Sequence, residues 1–94
     1  VFACNFANHM YAISSYLLTE HQLPFKAMFP LIDETAQKIH QLSPVDAQTG
    51  PAQRGDCNIM NSHLQLLEAY PELQQIYKSL SKNIQQYNLL KDHD

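Results

Sequence analysis

Two groups of side chains in this sequence have the types and spacing to do chemistry. Asn5, Asn8 and His9 stand at i, i+3 and i+4, so on a helix they share one face. Two amides and an imidazole can orient a polar substrate, and the imidazole can move a proton near neutral pH. No carboxylate lies near His9 in sequence. The same three side chains could instead bond to the backbone of a neighbouring loop or helix, because polar groups on an apolar helix need partners when buried. The second group is Thr49, Gly50, Pro51, Arg54 and Asp56, with His63 following. Residues 49–56 hold both glycines of the chain. Glycine is the default where backbone turns tightly or approaches something closely, and proline fixes φ and removes a donor. Arg54 could grip a carboxylate or phosphate with both arms of its guanidinium, or pair with Asp56 inside the loop while Asp56 caps the next helix. His63 falls about two turns into that helix on its apolar side, either as a satisfied core histidine or as a member of the site.

Other chemistries find no support. Cys4, His9, Cys57 and His63 have neither C-x-x-C nor H-x-x-x-H spacing, so no metal site is expected. There is no G-x-G-x-x-G, no P-loop and no G-x-S-x-G, so no cofactor-binding residue is assigned within the chain. A net charge of −3 and a pI near 5.9 speak against nucleic acid and against a polybasic membrane patch. No apolar run approaches the length of a bilayer span, and no secretory signal is visible. The two cysteines read as free thiols of a cytoplasmic protein.

The elements that must position these residues are helical. Residues 1–21 carry apolar stripes at Phe2, Phe6, Met10, Ile13 and Leu17 and at Cys4, Ala7, Tyr11 and Leu18, a helix apolar over most of its girth and expected to be covered on several sides. Gln22-Leu23-Pro24 ends it. A second helical pattern runs over residues 24–42, with Pro30 splitting or kinking it and Leu31, Ile32, Thr35, Ala36, Ile39 and Leu42 as its apolar face. Ser43-Pro44 restarts a turn or two as cap and first helical residue. Asp56 is placed to cap a helix over residues 57–69, and Tyr70-Pro71 starts the last helix, with residues 88–94 as a fraying tail. No strand-like alternation stands out. The expected fold class is all-α, about five helices in a single domain spanning residues 1–94.

Charged residues make up only 16% of the 94 residues while hydrophobic ones make up 45%, below the usual quarter for charge. That balance favours a homodimer or a piece of a larger protein. Val1-Phe2-Ala3-Cys4 is apolar and helical in pattern from the first residue, without a starting Met or a cap, and reads as a fragment.

Three stretches carry a resemblance. Cys4-Asn5-Phe6-Ala7-Asn8-His9, then Phe29-Pro30-Leu31-Ile32-Asp33-Glu34-Thr35, then Thr49-Gly50-Pro51-Ala52-Gln53-Arg54-Gly55-Asp56 with His63-Leu64 resemble the C-terminal helical domain of an uncharacterised bacterial family. Its members have an N-terminal Rossmann-like, NADP-binding domain. That helical domain is similar to the C-terminal domains of 6-phosphogluconate dehydrogenase and of pyrroline-5-carboxylate reductase relatives. The resemblance implies a two-domain NADP-dependent oxidoreductase in which the helical part supplies dimer contacts and one wall of the substrate cleft, NADP being held by a domain outside this chain. In the wider superfamily a Lys-x-x-x-Asn pattern on the first long helix orients substrate. Here Val1 precedes Asn5 by four and Cys4 precedes Asn8 by four, so the lysine is missing and no catalytic residue is assigned. The chain alone is expected to be inactive. A non-catalytic helical interaction module is the alternative reading.

Overall fold

The computed structural model describes residues 1–92, with side chains as far as Asn88. It contains no strand among the described residues, and the all-α expectation holds. It divides into two units, residues 1–38 and 39–94.

In the first unit the chain opens with a π-helical turn, Phe2–Phe6, that runs into α1, Ala7–Glu20. Within it the Phe6 N–H donates to the Val1 carbonyl at 2.9 Å. Such wide turns are rare and insert an extra residue into the helical register. The Phe2 and Phe6 rings meet edge to face at 5.2 Å. α1 stops where the sequence places the stop, but by a device that reading did not see. Gln22, not glycine, adopts the left-handed conformation at φ 59. Its N–H donates to the Thr19 carbonyl (3.0 Å) and the Leu23 N–H reaches back to Leu18 (2.8 Å), a Schellman closure that satisfies the orphan carbonyls of the last turn.

Pro24 then sits extended ahead of a 3₁₀ turn, Phe25–Met28, and α2, Phe29–Lys38, follows. Pro30 thus marks a split, as expected. The Phe25 and Phe29 rings stack edge to face at 5.9 Å across the junction. α2 ends at Lys38 rather than at residue 42, so Ile39 and Leu42 lie beyond it, both exposed. Ser43 is extended at ψ 149, the conformation a following proline imposes, and the helix must finish before it.

The second unit gathers three short helices on one long one. Ser43 caps α3, Pro44–Ala47, accepting from the Asp46 N–H at 3.3 Å. Residues 51–54, read from sequence as loop, form a one-turn helix, α4, Pro51–Arg54. Gly50 precedes it at φ 103, ψ 174, a conformation open essentially to glycine alone, and Pro51 takes the first helical position. Gly55 closes the turn at φ 70, ψ 30, with the Asp56 N–H donating to Pro51 (2.8 Å) and the Gly55 N–H to Ala52 (3.2 Å). A side chain at either glycine would meet nothing within 4 Å, so both are required for backbone conformation and not for close approach within the chain.

Asp56 caps α5, Cys57–Leu66, through Oδ1 on the Ile59 N–H at 3.2 Å. α5 ends three residues short of the expected 69 because Pro71 pulls the chain out of helix. Residues 67–70 tighten into i→i+3 bonds instead, Glu68 N–H to Gln65 (3.1 Å) and Tyr70 N–H to Leu67 (2.8 Å). α6, Pro71–Asp92, is continuous through residue 92, so the tail expected to fray from residue 88 is helical there. The last two residues of that expectation lie outside the described chain.

Burial is shallow. Ala52, in the α4 turn, is the one buried apolar residue among those described, at 5% exposure. In α1 Met10, Ile13, Leu17 and Leu18 are half-buried, while Phe2 (81% exposed), Phe6 (50%), Tyr11 and Tyr16 stand out. The expectation that the chain covers its leading helix on several sides is therefore corrected. Apolar pattern says that a face needs cover, not that the cover comes from the same chain.

Candidate functional site

In the first unit, Asn5 lies in the π-helical turn, and Asn8 and His9 lie in the first turn of α1. All three are exposed. None makes a side-chain hydrogen bond among the described residues, so the bonds to loop or helix backbone weighed from sequence are not formed here. Exposed amides and an imidazole are groups able to hydrogen-bond a polar molecule.

In the second unit, Thr49, Gly50, Pro51, Arg54 and Asp56 all belong to the α4 turn and its flanks. The Thr49 carbonyl accepts from Gln48 Nε2 at 2.9 Å. The turn is tied to α6 by Asn88, whose Nδ2 donates to the Gln53 carbonyl at 3.4 Å, and by the buried Ala52. Asp56 is committed to its cap, and no ion pair joins it to Arg54 among the described residues. Arg54 is exposed at the end of the turn, its guanidinium available to an anion.

His63 is not part of this turn. It lies on α5 and faces α6, where Nδ1 shares a 2.7 Å hydrogen bond with Tyr77 Oη and the two rings pack edge to face at 5.7 Å. With the imidazole proton on Nε2 the phenol donates; with it on Nδ1 the phenol oxygen accepts. Both residues are half-buried. Gln74 Nε2 adds a second tie, donating to the Leu64 carbonyl at 2.7 Å. Sequence reading did not single out Tyr77. Its partner is 14 residues away, beyond the reach of helical spacing.

Burial lifts the Tyr77 phenol above its ordinary value of 10.0. The folded phenol therefore holds its proton to higher pH than the unfolded one. Its contribution to stability is full below pH 10.0 and is lost as pH rises through the raised value. Urea unfolding midpoints measured between about pH 9 and 11 are expected to fall more for the natural sequence than for Tyr77→Phe. At neutral pH that substitution is expected to cost about 0.5–1.5 kcal/mol, the worth of one such bond.

No group of three or more His, Cys, Asp or Glu that could hold a metal ion occurs among the described residues. No helix among them is long and apolar enough to cross a membrane.

The chain belongs to the family described as a domain of unknown function (DUF2520), which matches residues 1–84. No curated protein matches it. Among solved structures it is similar to the crystal structure of a putative NADP oxidoreductase from Bacteroides fragilis, with 52% sequence identity and a TM-score of 0.90. That match covers 93% of this chain and 34% of the other, so the chain spans about a third of the protein it resembles.

Proposed function

We propose that this chain is the substrate-side and dimerising domain of an NADP-dependent oxidoreductase, acting in the cytoplasm and inactive by itself. The observation that carries the reading is the match to the Bacteroides fragilis protein, 52% identical over 93% of the chain. NADP is held by residues outside this chain. Within it the two glycines bound a single helical turn, which offers no strand-to-helix cradle for a pyrophosphate. Asn5, Asn8 and His9 serve the substrate with hydrogen bonds and an imidazole. Thr49, Gly50, Pro51, Arg54 and Asp56 shape the other contribution, with Arg54 as the anion contact and His63 behind them on α5. The missing lysine leaves the proton-transfer group unassigned.

Asn5 and Arg54 separate this reading from a non-catalytic helical module. Both are exposed, and neither side chain has a hydrogen-bond partner among the described residues. In the intact protein Asn5→Ala and Arg54→Ala are each expected to change unfolding free energy by no more than about 0.5 kcal/mol. Each is expected to lower kcat/KM about tenfold or more, the loss of a directed polar contact to substrate. A loss of stability of a few kcal/mol with ligand binding and turnover untouched would favour the interaction module, in which the exposed aromatic face of the leading helix is a seam and the α4 turn a staple.

A further inference from the structure

We propose that the cleft between α5 and α6 binds a small amphipathic anion, an apolar ring or short chain carrying one carboxylate or phosphate. The cleft lies wholly within the second unit and is an open groove of about 200 Å³. A cavity of about 150 Å³ already accepts benzene, so a single ring with its charged group is the right size. None of its lining residues is assigned to substrate above, and the inference does not rest on that reading.

Met60 and Leu64 from α5 and the Tyr77 ring from α6 make the apolar wall, and Ser81, Lys78 and Lys82 make the polar one. No aspartate or glutamate lines it. Exposed lysines on a helix are commonly matched to a carboxylate one turn away, and these two, both exposed, are not. The i±3 and i±4 neighbours of Lys78 are Gln74, Gln75, Ser81 and Lys82; those of Lys82 are Lys78, Ser79, Gln85 and Gln86. Two like charges at i, i+4 repel on an isolated helix. In an acidic chain with six Lys and Arg in all, two stand one turn apart on α6 without a carboxylate at i±3 or i±4. The facing helix α5 carries no carboxylate, and Asp56 at its start is occupied by its cap on Ile59.

The walls are also fixed in place. The His63–Tyr77 bond and the Gln74–Leu64 bond, both at 2.7 Å, tie α5 to α6 at the Leu64 and Tyr77 end of the apolar wall. A preformed site loses less freedom when it binds. An anion between the two ammonium groups relieves their repulsion and gains charge-assisted hydrogen bonds, while its apolar body covers Met60, Leu64 and Tyr77.

Calorimetric titration of the intact protein, with methyl NMR of Met60 and Leu64, tests this with phenyl phosphate, phenylacetate, benzyl alcohol and inorganic phosphate. Saturable binding of one of the two aryl anions is expected, with both methyls shifting. The tighter of the two names the head group. The K78Q/K82Q variant is expected to weaken binding about tenfold or more, and K78R/K82R to retain it. Equal binding of benzyl alcohol, inorganic phosphate binding as tightly as phenyl phosphate, undiminished binding by K78Q/K82Q, or no saturable binding would each overturn the proposal. Both lysines are exposed, so a thermal melt is expected to be unchanged by either substitution.

Discussion

Gly50→Ala is expected to destabilise the protein by about 1–3 kcal/mol, the cost of forcing a side chain into a backbone region that only glycine occupies freely. Space is not the issue, since an added Cβ at Gly50 meets nothing within 4 Å. The cost is conformational, from φ 103 and ψ 174. Gly55 makes the internal control. It too is unhindered, but its φ 70, ψ 30 is the ordinary left-handed region, which Asn tolerates. Gly55→Asn is therefore expected to be milder than Gly50→Asn. Thermal unfolding reads the difference, at about 4–8 °C per kcal/mol for a domain of this size. The structural consequence is local: Gly50 sets the entry into α4, so a strained residue 50 shifts Arg54 and loosens the contact of Ala52. Equal losses from both substitutions would show that the turn does not depend on the conformation of Gly50.

The second large effect concerns assembly. Phe2→Ser with Phe6→Ser is expected to raise the dimer dissociation constant of the intact protein by about 10²-fold or more. Burying a phenylalanine contributes about 1.5–3 kcal/mol, and with the change in both protomers four rings are lost, so even partial burial converts to about 10²-fold or more. These rings are 81% and 50% exposed and packed edge to face on each other. They already form a ready-made aromatic knob at the start of the leading helix. Sedimentation equilibrium checks it. A natural sequence that is monomeric at micromolar concentration would contradict the proposed dimer, and a double variant that remains a dimer would place the seam elsewhere.

Local signals were read well because local chemistry decides them. Ser43 before Pro44 and Asp56 before α5 are caps whose side chains reach a backbone N–H three residues on, and such spacing is visible in any sequence. Pro30 divides its helix for an equally local reason. Three features escaped. The left-handed stop at Gln22 uses a residue without that preference, and no residue type announces it. The Gly-Pro turn looked like loop because both residues punctuate helices, yet Pro51 at the first position and Gly55 at the last are also how a single helical turn is bounded. The His63–Tyr77 tie depends on how α5 and α6 pack, and no periodicity within one helix encodes it.

The candidate site shows the same division. From spacing, Asn5, Asn8 and His9 are expected on a common edge; Asn5 lies in the π-helical turn and Asn8 and His9 in α1, all three exposed. Sequence also brought Thr49, Arg54 and Asp56 into one turn, since they are neighbours. It did not say that Asp56 would be occupied by a cap while Arg54 stays free, a distinction that needs hydrogen-bond geometry. The lysine pair of α6 was not singled out from sequence, and its cleft with the facing helix depends on packing that no single helix encodes.

The central claim is that this chain is one part of an NADP-binding protein and leaves the cofactor to another part. Titrating NADPH into the isolated chain and into the intact protein, side by side and followed by nucleotide fluorescence, tests it most directly. Saturable binding by the intact protein with none by the isolated chain is the predicted result. Tight binding by the isolated chain, or none by the intact protein, would contradict it.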